Sequence, residues 1–115
     1  MDANNPVVKL CIAGTQAEFM GRLSDARALY LEAWQTASDD YEACIAAHYI
    51  AHLQESAEER LRWNQEALDR ANAADPQRVK ILYPSLYLNM GRSHESLGNQ
   101  AEAQRYYDLA AQLGL

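Results

Sequence analysis

The stretch that decides the fold spans residues 88–110 and reads LNMGRSHESLGNQAEAQRYYDLA. Its apolar and small residues recur at intervals of three and four, with no sustained alternation of period two, which is the pattern of amphipathic helices. Gly98 and Asn99 interrupt that pattern at a typical helix boundary. The small and aromatic marks of the stretch are Gly91, Gly98, Ala103, Tyr107 and Ala110. The segment therefore predicts two helices joined by a tight turn.

The same marks recur near the start of the chain with identical spacing. They are Gly14, Gly21, Ala26, Tyr30 and Ala33. A third copy lies between these two, and most of its marks are replaced by larger or polar residues. The replacements are His48, Glu55, Arg60 and Asn64, and the last mark, Ala67, is kept. In every copy the first mark precedes the last by 19 residues. The sequence therefore predicts three copies of one helical hairpin.

These marks resemble those of the tetratricopeptide repeat, a helix-turn-helix unit with a period of about 34 residues. The first and second copies are 34 residues apart, and the second and third are 43 apart. The resemblance implies an all-α fold with six helices, arranged as a right-handed α-solenoid of three repeats at approximately residues 6–38, 40–74 and 76–113. Small residues at the helix contacts let such hairpins pack closely and share one core. The chain, residues 1–115, is then one domain.

Nine additional residues separate the second copy from the third, which corresponds to about two and a half helical turns. They are expected to lengthen the fourth or the fifth helix, and we favour the fifth. Asp75 and Pro76 have the form of a capped start, and the helix is expected to run to about Leu97. Pro84 removes the hydrogen bond to the carbonyl of Lys80, so the sequence predicts a long fifth helix that is kinked near this proline.

The charge of the chain argues against two classes of partner. Sixteen acidic and ten basic side chains give a formal net charge of −6. Such a surface repels a phosphate backbone and an anionic membrane, so we expect neither nucleic acid nor a membrane as a partner. The N-terminal residues have neither the basic start nor the long apolar core of a signal peptide. A cytoplasmic protein is therefore expected.

Motifs of catalysis are missing from the sequence. It has no GxSxG, no phosphate-cradling glycine loop and no dinucleotide fingerprint. Cys11 and Cys44 lie far apart on different predicted helices and are expected to be buried thiols, not a disulfide or a metal pair. We therefore predict a protein that is not an enzyme and has no cofactor.

The resemblance also implies a binding surface. In tetratricopeptide proteins the partner usually lies along the concave face, which the first helix of each pair lines, and solenoids commonly bind through this face. The matching positions are Thr15, Glu18, Phe19, Ile45, Tyr49, His52, Leu88, Arg92 and Glu95. They form a mixed groove of aromatic, apolar and charged groups, which suits a peptide or a protein partner.

Two other functions remain open from the sequence. The chain can act as a self-associating scaffold, a homodimer formed through its uncapped C-terminal helix pair and its long fifth helix. Alternatively, His48, His52 and Glu55 follow one helix face at four- and three-residue intervals and have the chemistry of zinc ligands, which suggests a metal or small-molecule sensor. Against the sensor, His48 occupies a position where neighbouring helices meet, and a packed histidine explains it.

Overall fold

The computed structural model describes residues 2–114, and all of its regular structure is helical. A 3-10 turn, Lys80–Leu82, separates the fifth α-helix from the sixth. The α-helices are α1 (Pro6–Phe19), α2 (Leu23–Thr36), α3 (Asp40–His52), α4 (Ala57–Ala73), α5 (Pro76–Val79), α6 (Tyr83–Ser96) and α7 (Gln100–Gln112). No strand occurs between residues 2 and 114. The predicted all-α class is therefore confirmed.

Helix ends follow the punctuation of the sequence. The side chains of Asn5, Asp39 and Ser56 accept hydrogen bonds from backbone amides in the first turns of α1, α3 and α4. Each bond satisfies an amide that has no partner inside the helix. Gly21 and Gly98 have φ values of 77° and 80° in the turns after α1 and α6, a conformation that glycine adopts without strain.

A carboxylate joins the starts of the first and third helices. Asn5 caps α1 and also donates from Nδ2 to Glu42 Oε2 at 2.7 Å. Glu42 Oε1 accepts from the backbone amide and the hydroxyl of Ser38, both at 2.8 Å. The amide of Ser38, followed by the other donors, lowers the pKa of Glu42 below its usual range. The ionised carboxylate therefore fixes α1 against the loop that leads into α3.

Consecutive helices pack as three pairs. Helix α1 lies against α2, α3 against α4, and α6 against α7. Each pair is joined by three or four residues, so its two helices are antiparallel neighbours. Contacts between pairs are made by α2 and α1 with α3, and by α4 with α6. Trp34 of α2 also meets Trp63 of α4 edge to face, with ring centroids 5.2 Å apart.

Close approach within the first and third pairs depends on a glycine facing a tyrosine ring. The ring of Tyr30 on α2 covers Gly14 on α1, and the ring of Tyr107 on α7 covers Gly91 on α6. A Cβ atom at either glycine would lie 2.6 Å from the Cδ1 atom of the facing ring, well inside contact distance. The two glycines are therefore required by packing. Their recurrence in the sequence reflects the same contact made twice.

The middle pair reverses the sizes of these two side chains. His48 on α3 occupies the place of the glycine, and Asn64 on α4 occupies that of the tyrosine. Asn64 is buried, and its Nδ2 donates to the hydroxyl of Ser93 on α6 at 2.9 Å. In this pair the larger side chain, His48, is therefore on the first helix, α3. The second helix, α4, contributes the smaller polar side chain of Asn64 to the contact with the next pair.

The predicted fifth helix is interrupted. Residues 76–96 form the short α5, the 3-10 turn Lys80–Leu82 and then α6, which ends at Ser96 where about Leu97 was expected. Pro84 lies in the first turn of α6, where a backbone N–H would have no partner within that helix, so the proline costs α6 no hydrogen bond. Because Pro84 cannot bond the carbonyl of Lys80, the α-helical ladder opens there, and the chain closes into a tighter turn. The kink expected at the proline is therefore a break that precedes it.

Replacing Gly14 by alanine tests the packing of the first pair. Alanine favours a helix by about 1 kcal/mol over glycine. However, inserting a methyl group into a packed core costs about 1–3 kcal/mol, and the buried ring of Tyr30 has little room to move. We expect a net fall in the free energy of unfolding of about 1 kcal/mol, measured by urea denaturation.

Gln16→Ala is the matched control, because Gln16 is exposed on the same helix. This variant should keep or slightly raise the urea midpoint, since alanine is a good helix former. A midpoint for Gly14→Ala at or above that of the unmodified chain would show that the ring of Tyr30 does not restrict this position.

Candidate functional site

A cavity of about 430 Å³ opens between the first helices of the three pairs, and we call it the polar cavity. Residues of α1, α3 and α6 form most of its wall, and α2 and α4 complete it. The lining consists of Thr15, Glu18, Tyr30, His48, Tyr49, Ala51, His52, Arg60, Asn64, Asn89, Arg92, Ser93 and Ser96. Since every pair contributes side chains, a ligand bound here would contact all three.

Five of the nine residues expected to form a groove line the polar cavity. They are Thr15 and Glu18 from α1, Tyr49 and His52 from α3, and Arg92 from α6. All five lie on the first helix of a pair, which is the geometry that the sequence predicted. The structure therefore brings these five side chains to one place.

The other four expected groove residues lie elsewhere. Phe19 ends α1 and is 93 % exposed. Ile45 is buried in the core. Leu88 is half-buried outside the lining of the polar cavity, and Glu95 is exposed and accepts a hydrogen bond from the hydroxyl of Tyr107 at 3.2 Å. Their positions along the helices place them beside the cavity or beneath it.

Glu18 links three helices at one end of the polar cavity. Its Oε1 accepts from the hydroxyl of Tyr30 on α2 at 3.0 Å. Its Oε2 lies 2.7 Å from Nε2 of His52 on α3, and this nitrogen donates because the carboxylate can only accept. Tyr30 also meets the hydroxyl of Thr15 at 3.2 Å. Glu18 is therefore held by the residue that covers Gly14 and by the second pair.

His48 forms the inner wall of the polar cavity. Asn89 on α6 donates from Nδ2 to its Nδ1 at 3.3 Å, and its ring meets Tyr49 edge to face at 5.4 Å. Burial lowers the pKa of His48 below its usual value, and the nearby His52 lowers it further. His48 is therefore a neutral acceptor in the folded protein.

The charge of the polar cavity opposes that of the whole chain. Its lining includes two arginines and one glutamate, whereas the formal net charge of the protein is −6. Arg60 donates to the backbone carbonyls of Gln54 and Glu55 at 2.9 and 3.0 Å. The guanidinium of Arg92 forms no ion pair with any of residues 2–114. Arg92 is thus a cation open to a ligand.

Residues from the second helices of the pairs were missed by the sequence analysis. Tyr30, Arg60 and Asn64 enter the lining from α2 and α4, although the groove was expected to involve the first helices alone. A signal for two of them was present, because Arg60 and Asn64 replace the alanine and tyrosine marks in the same repeat. Because Arg60 and Asn64 are polar residues at two marks of one repeat, the packing of the second helix in this repeat is more polar than in the other two.

The residues considered for metal binding have separate partners. His52 pairs with Glu18, and His48 accepts from Asn89. The carboxylate of Glu55 is exposed and lies 3.4 Å from Arg27. Within residues 2–114 no group of three or more His, Cys, Asp or Glu side chains is placed to hold a metal ion. The geometry therefore offers no support for metal binding by His48, His52 and Glu55.

Both cysteines are buried and free, as predicted. Burial raises the pKa of Cys11 and of Cys44 to about 12. A thiol with such a pKa stays protonated near neutral pH and is a poor nucleophile. These residues therefore act as small apolar groups in the core.

Comparison with models of protein families, with curated proteins and with solved structures found no match for this chain. The residues that carry the tetratricopeptide resemblance include the pairs whose contacts are given above, Gly14 with Tyr30 and Gly91 with Tyr107. Among the helices formed by residues 2–114, none is both long enough and apolar enough to cross a membrane.

The lowered pKa of His48 makes the stability of the protein depend on pH. In an unfolded chain a histidine gains a proton below about pH 6.5. His48 stays neutral to lower pH in the folded chain, so the unfolded state binds more protons in this range. The free energy of unfolding is therefore expected to fall as the pH is lowered from about 7 to about 5.

We expect His48→Gln to lose less of its free energy of unfolding over this range, measured by urea denaturation at the two pH values. Glutamine does not titrate, and its side-chain oxygen can still accept from Asn89. His94→Gln is the matched control, since it removes a histidine that stacks on Tyr106 outside the polar cavity. An acid loss in His48→Gln as large as in the unmodified chain would refute a neutral His48.

Proposed function

We propose that this chain is a tetratricopeptide-like scaffold that binds a segment of another protein in the polar cavity. The observation that carries the proposal is the convergence of five expected groove residues at one cavity between α1, α3 and α6. A groove shared by several repeats is the usual binding surface of a helical solenoid. On this proposal the three pairs stack in one direction, as a right-handed α-solenoid.

The contacts between pairs support that stacking. Helix α2 lies against α3, and α4 lies against α6, so the second helix of each pair meets the first helix of the next. Helix α1 also lies against α3. The first helices α1, α3 and α6 all contribute side chains to the polar cavity. A solenoid whose pairs contact their neighbours in sequence has this pattern.

The chemistry of the polar cavity favours binding over catalysis. Ser93 donates its hydroxyl proton to the backbone carbonyl of Asn89 at 2.8 Å and accepts from Asn64. Its proton is therefore directed to an amide oxygen and not to a base that would activate it. The remaining groups are mixed donors and acceptors together with two tyrosine rings, Tyr30 and Tyr49, which suit recognition of a polypeptide.

Affinity capture from an extract of the native cell tests this function. The unmodified chain should retain a specific protein, identified by mass spectrometry. Tyr49→Ala and Arg92→Ala should each retain at least about tenfold less of it, because truncating an anchor residue costs about 2 kcal/mol or more of binding free energy. Arg22→Ala is the matched control, since Arg22 is an exposed arginine outside the polar cavity.

Two outcomes would refute the groove as the binding surface. In the first, the captured protein is retained equally by Tyr49→Ala, Arg92→Ala and Arg22→Ala. In the second, Arg22→Ala loses the protein while the two cavity variants keep it. Circular dichroism of each variant separates loss of binding from loss of the helical fold.

A second candidate function is self-association, and exposed apolar side chains favour it. Ile81 in the 3-10 turn is 77 % exposed, and Leu113 after α7 is 51 % exposed. Both belong to the part of the chain through which a homodimer was expected to form, the fifth helix and the C-terminal pair. Apolar side chains at such exposure gain free energy when a second copy covers them.

Size-exclusion chromatography with light scattering tests the homodimer. A self-associating chain should show a mass near twice the monomer value of 12.9 kDa, and Ile81→Glu should return it to the monomer. Met20→Glu is the matched control, because Met20 is an exposed apolar residue after α1. A monomer at about millimolar concentration would exclude the scaffold built by self-association.

A further inference from the structure

A second cavity, of about 190 Å³, adjoins the polar cavity, and we call it the apolar cavity. His48 and Tyr49 line both cavities and so form the wall between them. The other lining residues are Cys44, Ile45, Leu82, Ser85 and Leu86. Three of these are buried apolar side chains, and Ser85 is exposed at the edge. The cavity is therefore apolar inside and open at one side.

The apolar cavity exists where the nine additional residues break the helix. Leu82 ends the 3-10 turn, and Ser85 and Leu86 follow in the first turns of α6. On the opposite side, Cys44 and Ile45 belong to α3, which continues through this region without interruption. The apolar cavity therefore lies between α3 and the segment in which the 3-10 turn leads into α6. The insertion thus adds a site beside the groove.

The volume of the apolar cavity limits what can fill it. Pockets for drug-sized molecules and cofactors have volumes of about 300–1,000 Å³. A cavity of about 190 Å³ is smaller and accommodates a single side chain. An aliphatic side chain gains from contact with the buried lining, whereas a charged or unpaired polar group would be penalised there. An aliphatic residue is therefore the best occupant.

The neighbouring polar cavity determines the chemistry of the adjacent ligand residue. Arg92 carries a positive charge that no residue among 2–114 pairs with, and the lining as a whole has more arginine than glutamate. The hydroxyl of Ser96 lies in the same lining. These groups are donors, and a carboxylate is the acceptor that an arginine binds most strongly. An acidic residue complements this cavity.

We propose that the two cavities together recognise an extended protein segment with an aliphatic residue in the apolar cavity and a nearby acidic residue at Arg92. This inference rests on the proposed function, because it assumes that a polypeptide occupies the groove. It adds the sequence preference of the partner. The aliphatic residue supplies affinity through burial, and the acidic residue fixes the direction of the segment through its ion pair.

A phage-displayed library of random twelve-residue peptides tests this preference. The unmodified chain should enrich peptides that carry an aliphatic residue within a few positions of an aspartate or glutamate. Ser85→Trp places a large ring at the edge of the apolar cavity and should abolish the aliphatic preference while the acidic preference remains. Arg92→Glu should abolish the acidic preference while the aliphatic preference remains.

Two exposed positions outside both cavities provide matched controls. Gln104→Trp on α7 adds the same ring as Ser85→Trp, and Arg22→Glu reverses the same charge as Arg92→Glu. Both should enrich the same peptides as the unmodified chain. In addition, replacing the aliphatic residue of a selected peptide by alanine should weaken its binding to the unmodified chain about tenfold to a hundredfold, measured by isothermal titration calorimetry.

The outcomes separate this inference from the proposed function. If no peptide is enriched, the groove does not bind polypeptide and the proposed function fails. If peptides are enriched without an aliphatic preference, or if Ser85→Trp leaves that preference intact, the inference fails while the function stands. If Ser85→Trp turns a dimer into a monomer in light scattering, a second copy of the chain fills the apolar cavity, and this also overturns the inference.

Discussion

The structure depends on the contact between a glycine of one helix and a tyrosine ring of the next. In the first and third pairs this contact brings the two helix backbones close together, because the ring occupies the space where a Cβ atom would lie. Close packing of this kind maximises dispersion contacts along the whole helix pair. The pair then presents a continuous surface to its neighbour, and the shared core extends from Val7 to Tyr106.

Tyr30 connects this packing to the candidate site. The hydroxyl of Tyr30 donates to Glu18, and that of Tyr107 donates to Glu95, each one helical turn beyond the glycine that the ring covers. In the first pair the glutamate also binds His52 of the second pair. One side chain therefore has two tasks: its ring sets the spacing of the helices, and its hydroxyl orients a carboxylate at the polar cavity.

The middle pair and the insertion give this chain its individual features. Reversing the small and large side chains at His48 and Asn64 puts an imidazole and a carboxamide where the other pairs have a glycine and a tyrosine. The end of the 3-10 turn Lys80–Leu82 and the start of α6 form one wall of the apolar cavity next to His48. Two adjoining cavities of different polarity result, and both lie where the repeat pattern is least regular.

Much of the fold was determined by the sequence alone. The glycines, alanines and tyrosines at fixed intervals predicted the helical hairpins, because close helix packing tolerates few other residues at those positions. The structure shows Asn5, Asp39 and Ser56 as caps of three helices, since a side-chain oxygen there satisfies free backbone amides. Five of the nine expected groove residues line one cavity, because the side chains of a helix face follow from its period.

The tertiary structure decided which residues are buried and which of them line the polar cavity, because a local sequence pattern does not contain this information. Ile45 and Phe19 have the spacing of groove residues, but burial and exposure are set by the neighbouring helices, so one lies in the core and the other in solvent. Arg60 and Asn64 enter the polar cavity from a second helix because α4 also contacts α6. Contacts between residues that are far apart in the sequence depend on how the helices pack against one another. The spacing of residues along a single helix does not determine that packing.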